Sequence, residues 1–240
     1  MILIYDDEGV SKDSIAALLN YFKESEAISP ISGAELQNSA WIPNTRLLII
    51  PGGRSLPFYE ALGSAGNKNI ATFVAQGGCY LGLCAGAYYA ARETIFAMGL
   101  PLELQLPGAL NFFSGRAIGP VFADELFAYA SEAGARIVNI DWQNQQTYAL
   151  YFNGGCYFES AEKFKNVAIL ARYSQNQLPA IIACNLGKGR AVLSGVHPEL
   201  SFETVPDDAH IHHQSLRKSL LLADENRKKL LSHLIRCTQV

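Results

Sequence analysis

The segment Tyr80-Leu81-Gly82-Leu83-Cys84-Ala85-Gly86-Ala87-Tyr88-Tyr89 decides the fold of this 240-residue chain. Its first half is a short apolar run typical of a buried strand, and the small residues after Cys84 are able to start a helix. The Gly-x-Cys-x-Gly pattern between them is the cysteine version of a nucleophile elbow, a sharp strand-to-helix turn that exposes its central side chain. The segment predicts an α/β protein in which Cys84 is a nucleophile.

Apolar runs of strand length alternate with segments of helical periodicity in the first part of the chain. Strands are predicted at Ile2–Tyr5, Leu47–Ile50 and 79–83, and helices over 14–22 and 68–76. This alternation is typical of a mostly parallel sheet with helices on both faces.

The second half of the chain is richer in predicted strands. They follow one another in quick succession at 136–142, 147–152, 167–173, 180–186 and 191–196. Leucines recur near helical spacing after Pro206, which predicts a C-terminal helical extension within 204–240. No change of composition marks a boundary, so residues 1–240 are expected to form a single domain.

Composition limits the classes of function open to the chain. Nineteen basic and 22 acidic residues give a net charge of -3, which provides no positive field for nucleic acid. No apolar stretch approaches the ~20 residues of a membrane span, and acids stand where an export signal requires basic residues. The five cysteines form no C-x-x-C pair and no disulfide framework. We therefore expect a soluble, cytoplasmic protein with no nucleic-acid or membrane partner.

A thiol nucleophile requires a base and a third group that orients the base. His197 ends an apolar strand in the segment Gly195-Val196-His197-Pro198-Glu199. Because the carboxyl ends of parallel strands meet at one edge of a sheet, His197 is expected close to Cys84. Glu199 is placed to accept a hydrogen bond from the imidazole.

Two glycines that follow a strand supply the third element of the predicted site. In Pro51-Gly52-Gly53-Arg54, the N–H groups of Gly52 and Gly53 are candidates for an oxyanion hole together with the N–H of Ala85. A plain tight turn is the alternative explanation of Pro-Gly-Gly. Arg54 is expected either to bind a substrate carboxylate or to form a surface or structural ion pair.

These motifs resemble those of the class I glutamine amidotransferase-like superfamily. The match is closest to the amidotransferase-like N-terminal domain of eukaryotic-type biotin–protein ligases. The resemblance covers residues 1–203 and is carried by the segments 51–57, 77–89, 151–155 and 187–199. It implies a flavodoxin-like, mostly parallel sheet.

The resemblance also implies roles for individual residues. Cys84 would be the nucleophile, His197 its base and Glu199 the orienting partner. Gly53 and Ala85 would donate to the oxyanion. The implied activity is that of a cysteine-dependent amidase, glutaminase-type hydrolase or amidotransferase-like protein that passes through a thioester. The substrate would be a small-molecule amide or an amino-acid-like compound.

Other expectations concern partners and alternatives. Asn153 and Gly154 are expected to line the pocket. Only residues 200–240 follow the triad, too few for a biotin ligase domain, so an acceptor or ligase partner would be another protein and no biotinylation is expected from this chain.

The main alternative is a non-catalytic ligand-binding or regulatory module. A protease-like or DJ-1-like activity within the superfamily is a third reading.

The remaining motifs carry weaker signals, and no cofactor or metal is expected. The cluster His210-Ile211-His212-His213 is interpreted as a solvated segment, because no nearby Cys, Asp or Glu pair completes a metal site. Residues 224–229 are interpreted as a solvated helix face. Cys156 is interpreted as a packing residue, with a place near the site as the alternative. Asp6 and Asp7 are expected at the same sheet edge as Cys84.

Overall fold

The computed structural model of the chain describes residues 1–23, 27–122, 134–143, 146–207 and 210–239. Within these ranges the strands form a nine-stranded main sheet and a four-stranded second sheet. Helices cover both faces of the main sheet, as the alternating pattern of the first half predicts.

One half of the main sheet is parallel. In spatial order it consists of β2 (Ile28–Ile31), β1 (Ile2–Tyr5), β3 (Leu47–Ile50), β4 (Cys79–Leu83) and β13 (Gly189–Ser194). Four of these strands are almost wholly buried, which explains their continuous apolar runs. Their carboxyl ends lie along one edge, where the candidate site forms.

The other half of the main sheet is antiparallel. It continues from β13 through β12 (Pro179–Leu186), β11 (Val167–Tyr173), β8 (Arg136–Trp142) and β9 (Gln146–Phe152). The strand β13 pairs in parallel with β4 and antiparallel with β12, so it joins the two halves. The strands predicted for the second half of the chain are confirmed within a few residues of their expected ends.

The helices divide between the two faces of the main sheet. On one face lie α1 (Lys12–Phe22) and α5 (Ile211–Cys237), whose apolar side chains pack in one core cluster. On the other face α2 (Gly33–Leu36), α3 (Leu56–Ala75) and α4 (Ala85–Tyr89) pack in a second cluster. None of the helices in the described ranges is both long and apolar enough to span a bilayer.

The helix α3 begins earlier than the predicted span of 68–76. It interrupts itself at Gly63, where φ is 54° and ψ is -168°. The buried face continues through both parts of the helix, with Phe58, Leu62, Ile70 and Phe73 all buried. Glycines in this segment lower its helix propensity, which explains the shorter prediction.

A second sheet was not predicted from the sequence. Its order is β10 (Tyr157–Phe158), β7 (Phe113–Gly119), β5 (Ala91–Phe96) and β6 (Leu104–Pro107). It packs over α4, where the ring of Tyr88 meets that of Phe96 on β5 edge to face. The longest strand, β7, buries Gly115, Ala117 and Gly119 beside Phe113, so its sequence carries little apolar signal.

Candidate active site

Cys84 occupies the turn between β4 and α4 in a strained conformation. Its φ is 46° and its ψ is -100°, in the left-handed half of backbone space that a residue with a side chain seldom adopts. The Cys84 N–H donates to the carbonyl of Ser194 at 2.8 Å, and the Gly86 N–H donates to the carbonyl of Pro51 at 3.3 Å. These bonds tie the turn to β13 and β3 and hold the strained residue in place.

The glycines of the elbow are required by close backbone approach. A Cβ on Gly82 would lie 2.6 Å from the carbonyl oxygen of Gly86. A Cβ on Gly86 would collide with the carbonyl oxygen of Ile50. The strand–turn–helix geometry predicted from Gly-x-Cys-x-Gly is therefore present, and each glycine has a steric reason.

His197 and Glu199 meet Cys84 from the end of β13. The His197 Nδ1 lies 2.8 Å from the Glu199 Oε1, and the Cys84 sulfur is close enough to the same imidazole to raise the pKa of the ring. Since Nδ1 faces the carboxylate, Nε2 is the ring nitrogen left for the thiol. Both side chains are nearly inaccessible, with 5% of His197 and 2% of Glu199 exposed.

The surroundings of His197 favour its charged form. Burial works against the charge, but the Glu199 carboxylate and the Cys84 sulfur outweigh it and raise the pKa of His197 well above its ordinary value. The helix α4 spans only five residues, so its dipole is small. The imidazolium of His197 therefore places a positive charge beside the Cys84 sulfur.

The turn Gly52-Gly53 packs directly against the imidazole. A Cβ on Gly52 would lie 2.5 Å from the Cε1 of His197, so only glycine leaves room for the ring. Gly53 has a φ of 138°, and a Cβ there would collide with the carbonyl oxygen of Gly9. The turn is bonded to the start of α1 by the Ser11 N–H, which donates to the carbonyl of Gly52 at 2.8 Å.

The Gly52 N–H, a predicted oxyanion donor, already has a hydrogen-bond partner within the protein. It donates to the Ser14 Oγ at 3.4 Å and is therefore engaged within the protein. Within the described ranges, the N–H groups of Gly53 and Ala85 make no hydrogen bond to protein. Their oxyanion role stays a prediction.

The helix α5 supports the site, a role that was not predicted from the sequence. Arg227 is 5% exposed and donates to the carbonyl oxygens of Pro198 at 2.7 Å and Glu199 at 3.1 Å. Asp224 holds the guanidinium at 2.7 Å. The expectation of a solvated face over 224–229 is therefore wrong at Arg227.

A signal for this buried arginine was present in the sequence. Arg227 falls seven residues after Leu220 and four before Leu231, on the leucine face of the helix. A charge on an apolar face indicates a buried partner, here the main chain beside Glu199.

The chain matches a known protein family along its sequence. The family described as the N-terminal part of biotin-protein ligase matches residues 1–240. The chain belongs to this family. Its relationship to biotin–protein ligase N-terminal domains, predicted from the motifs, is confirmed.

Two curated relatives illustrate how this family domain occurs. An uncharacterized protein of Chlamydia muridarum is 34% identical, over 98% of this chain and 95% of that protein. The biotin–protein ligase of Schizosaccharomyces pombe is 36% identical, over 85% of this chain and 34% of the ligase. The chain thus spans about a third of that ligase and almost the whole of the chlamydial protein.

The fold of this chain is similar to that of a solved structure of another protein. A glutamine amidotransferase crystal structure superposes with a TM-score of 0.61 at 18% identity, covering 93% of this chain and 99% of that one. At this identity the likeness shows a shared fold, which confirms the predicted amidotransferase-like α/β class.

The predicted substrate-binding residues of the family domain lie in different surroundings. Arg54 is exposed, and its main-chain N–H donates to the carbonyl of Gly9 at 2.7 Å. Asn153 is half-buried, whereas Gly154 is buried and accepts a hydrogen bond from the Tyr88 hydroxyl at 3.0 Å. Their contact with a substrate stays a prediction.

The acids after β1 serve the local structure. The Asp7 carboxylate accepts from the N–H of Gly33 at 2.8 Å and from the N–H of Glu8 at 2.8 Å. Asp7 therefore joins the start of α2 to the end of β1. Asp6 is exposed and accepts no hydrogen bond from the Cys84 elbow within the described ranges.

All five cysteines are free thiols. Burial first, and then the nearby Cys84, raise the pKa of the Cys156 thiol well above its ordinary value. The Tyr173 hydroxyl donates to the Cys156 carbonyl at 2.7 Å. Cys156 thus lies in the core beside the elbow, so both interpretations of its position hold in part.

The histidine cluster lies at the start of α5. The ring centroids of His210 and His213 are 4.9 Å apart. In the parts of the chain that the structure describes, no three His, Cys, Asp or Glu side chains are grouped to hold a metal ion.

Proposed function

We propose that this chain hydrolyses the amide bond of a small, amino-acid-like substrate through a thioester on Cys84. One observation carries the proposal. Cys84, in a strained elbow, lies beside a buried His197 whose Nδ1 is 2.8 Å from the Glu199 carboxylate. This arrangement fits nucleophilic catalysis by a thiolate with an oriented acid–base partner.

The proposed reaction has two halves. The Cys84 thiolate attacks the amide carbonyl, and the oxygen of the tetrahedral intermediate takes up negative charge beside the N–H groups of Gly53 and Ala85. The C–N bond then breaks as His197 gives its proton to the leaving nitrogen, which departs as ammonia. Water, deprotonated by His197, attacks the thioester, and the carboxylic acid leaves as the thiol is restored.

Two further proposals concern the setting of this reaction. An acceptor for the ammonia, or a ligase acting with this family domain, would be a second protein. The free thiol state of all five cysteines supports a reducing, cytoplasmic setting. Small primary amides, glutamine among them, form the substrate class to be tested.

The experiment measures ammonia release from glutamine, asparagine and simple amino-acid amides, with iodoacetamide labelling followed by mass spectrometry. We expect release that is lost in Cys84→Ala and kept in Cys184→Ala, whose thiol is buried away from the elbow. We also expect Cys84 to be alkylated first at pH 6. Absence of release, together with a Cys84 that reacts at pH 6 no faster than the other thiols, would overturn the proposal.

A second candidate is a non-catalytic, ligand-binding module. The match to about a third of the S. pombe ligase favours it, because a domain joined to an enzyme can regulate it. The low exposure of Cys84, 5%, is also compatible with a binding role. A metabolite that raises the melting temperature equally in wild type and Cys84→Ala, without turnover, would favour this candidate.

A further inference from the structure

We propose that Ser14 is a positioning residue for the Glu199–His197 pair, an inference that rests on the proposed function. Ser14 lies in the first turn of α1, more than 180 residues from Glu199 in sequence. Its hydroxyl links the carboxylate to the glycine turn beneath the imidazole.

The Ser14 hydroxyl donates to the Glu199 Oε1 at 2.7 Å, a short hydrogen bond to a buried acceptor. The same Oε1 lies 2.8 Å from the His197 Nδ1. The other carboxylate oxygen, Oε2, is buried and has no partner among the described residues. Ser14 and His197 are thus the two side chains that hold this carboxylate.

The direction of the Ser14 proton is set from the other side. The Gly52 N–H donates to the Ser14 Oγ at 3.4 Å, which occupies a lone pair and leaves the hydroxyl proton for Glu199. A chain of hydrogen bonds therefore runs from Gly52 through Ser14 and Glu199 to His197. Gly52 also packs against the Cε1 side of the imidazole. Both ends of this hydrogen-bond chain therefore meet the Nδ1–Cε1 edge of the His197 ring.

The polar side chain of Ser14 is buried at a position where an apolar side chain would be expected. The residue is fully buried on the apolar face of α1, four positions before Leu18. A hydroxyl in such a place is costly unless it is satisfied, and both bonds that satisfy it lead into the candidate site. The chemistry therefore assigns Ser14 to the carboxylate rather than to the helix.

Loss of the hydroxyl has a definite chemical effect. The Glu199 carboxylate loses one of its two donors, so it is no longer held in the orientation that faces the His197 Nδ1. The imidazolium of His197 then loses part of its counter-charge. The thiolate–imidazolium pair with Cys84 forms at a higher pH as a result.

The test compares Ser14→Ala with wild type by the pH dependence of iodoacetamide alkylation at Cys84. We expect the half-maximal pH to rise by about one unit, with alkylation at pH 6 about tenfold slower, as for loss of one charge-assisted hydrogen bond. Ser14→Thr, which restores a hydroxyl, should return most of the shift. Thr238→Val, which removes a fully buried threonine's hydroxyl at the end of α5, should leave the profile unchanged.

A double-mutant cycle separates positioning from general destabilisation. In the Glu199→Gln background, Ser14→Ala should cause no further shift if Ser14 acts through the carboxylate. Should Ser14→Ala fail to fold, Ser14→Cys provides a weak donor of similar size for the same comparison. An unshifted profile in a folded Ser14 variant, or an equal shift in the Glu199→Gln background, would overturn the inference.

The outcomes also separate this inference from the proposed function. A wild-type Cys84 that is unreactive at pH 6 contradicts the proposed function, whatever Ser14 does. A reactive wild-type Cys84 with an unchanged Ser14→Ala profile contradicts the role of Ser14 alone.

Discussion

Arg227 donates a hydrogen bond to the main-chain carbonyl of Glu199 at 3.1 Å, which ties the last helix to the orienting acid of the candidate site. The guanidinium also reaches the Pro198 carbonyl, and Asp224 fixes it from the helix side. The position of the carboxylate therefore depends on α5 as well as on the strand that precedes it.

Arg227→Met should lower the free energy of unfolding by about 2–3 kcal/mol, because two buried carbonyl groups lose a charged donor. It should also slow Cys84 alkylation at pH 6. Denaturant unfolding and labelling rates measure the two effects. As a control, Lys228→Ala removes a half-exposed partner of the same Asp224 and should cost less than about 1 kcal/mol. Equal losses in both variants would contradict the support assigned to Arg227.

Gly52→Ala should displace the imidazole, since the new Cβ would stand 2.5 Å from the Cε1 of His197. We expect a loss of about 1–3 kcal/mol from overpacking and a marked slowing of Cys84 alkylation at pH 6. In the matched control, Gly66→Ala on α3, the nearest atom is 3.4 Å away, and alkylation should be unchanged. A Gly52→Ala protein with wild-type labelling would show that the ring is not held by this turn.

The stability of the protein should fall as pH rises above about 6.5, the ordinary pKa of histidine in an unfolded chain. The folded-state pKa of His197 is raised above that value, so the folded protein binds the proton more tightly. This contribution is complete below the unfolded pKa and is lost as pH rises through the folded pKa.

Denaturant unfolding across pH 6 to 9 measures this decline, and Glu199→Gln should flatten it by removing the counter-charge. Parallel curves for the two proteins would mean that the Glu199 carboxylate does not hold the proton on His197.

Cys184 should resist iodoacetamide at pH 9 in the native protein, because burial raises the pKa of its thiol to about 12. Cys84 should be modified fully under the same conditions. Peptide mapping after timed labelling measures both thiols, and labelling in denaturant serves as the control in which all five react. Modification of Cys184 at the rate of Cys84 would contradict the burial that sets this pKa.

Local patterns in the sequence predicted the elements that position Cys84. The apolar runs Leu47–Ile50 and 79–83 are strands because both faces of the parallel half are covered, so every residue in them is buried. The strands β4 and β13 are parallel neighbours, so the elbow after β4 and the histidine after β13 lie at the same edge of the sheet. Their meeting at one sheet edge was therefore predictable.

The residues that support the site were not predicted, because their role arises only from contacts between distant segments. Ser14 and Arg227 belong to helices at opposite ends of the chain. Ser14 follows Lys12 and Asp13, and Arg227 lies within the charged run 224–229, so neither stands out from its sequence neighbours. The second sheet escaped for a related reason. The buried positions of β7 include the small residues Gly115, Ala117 and Gly119, so the alternation along that strand carries little apolar signal.

The place of β13 beside β4 has a consequence for how the protein is made. Gly82 pairs with Leu193, more than a hundred residues later, so the central pairing of the sheet is distant in sequence. During synthesis from the amino terminus, the segment with Cys84 emerges from the ribosome well before the strand that leads to His197. A nascent chain therefore carries the thiol without its imidazole until β13 has paired with β4.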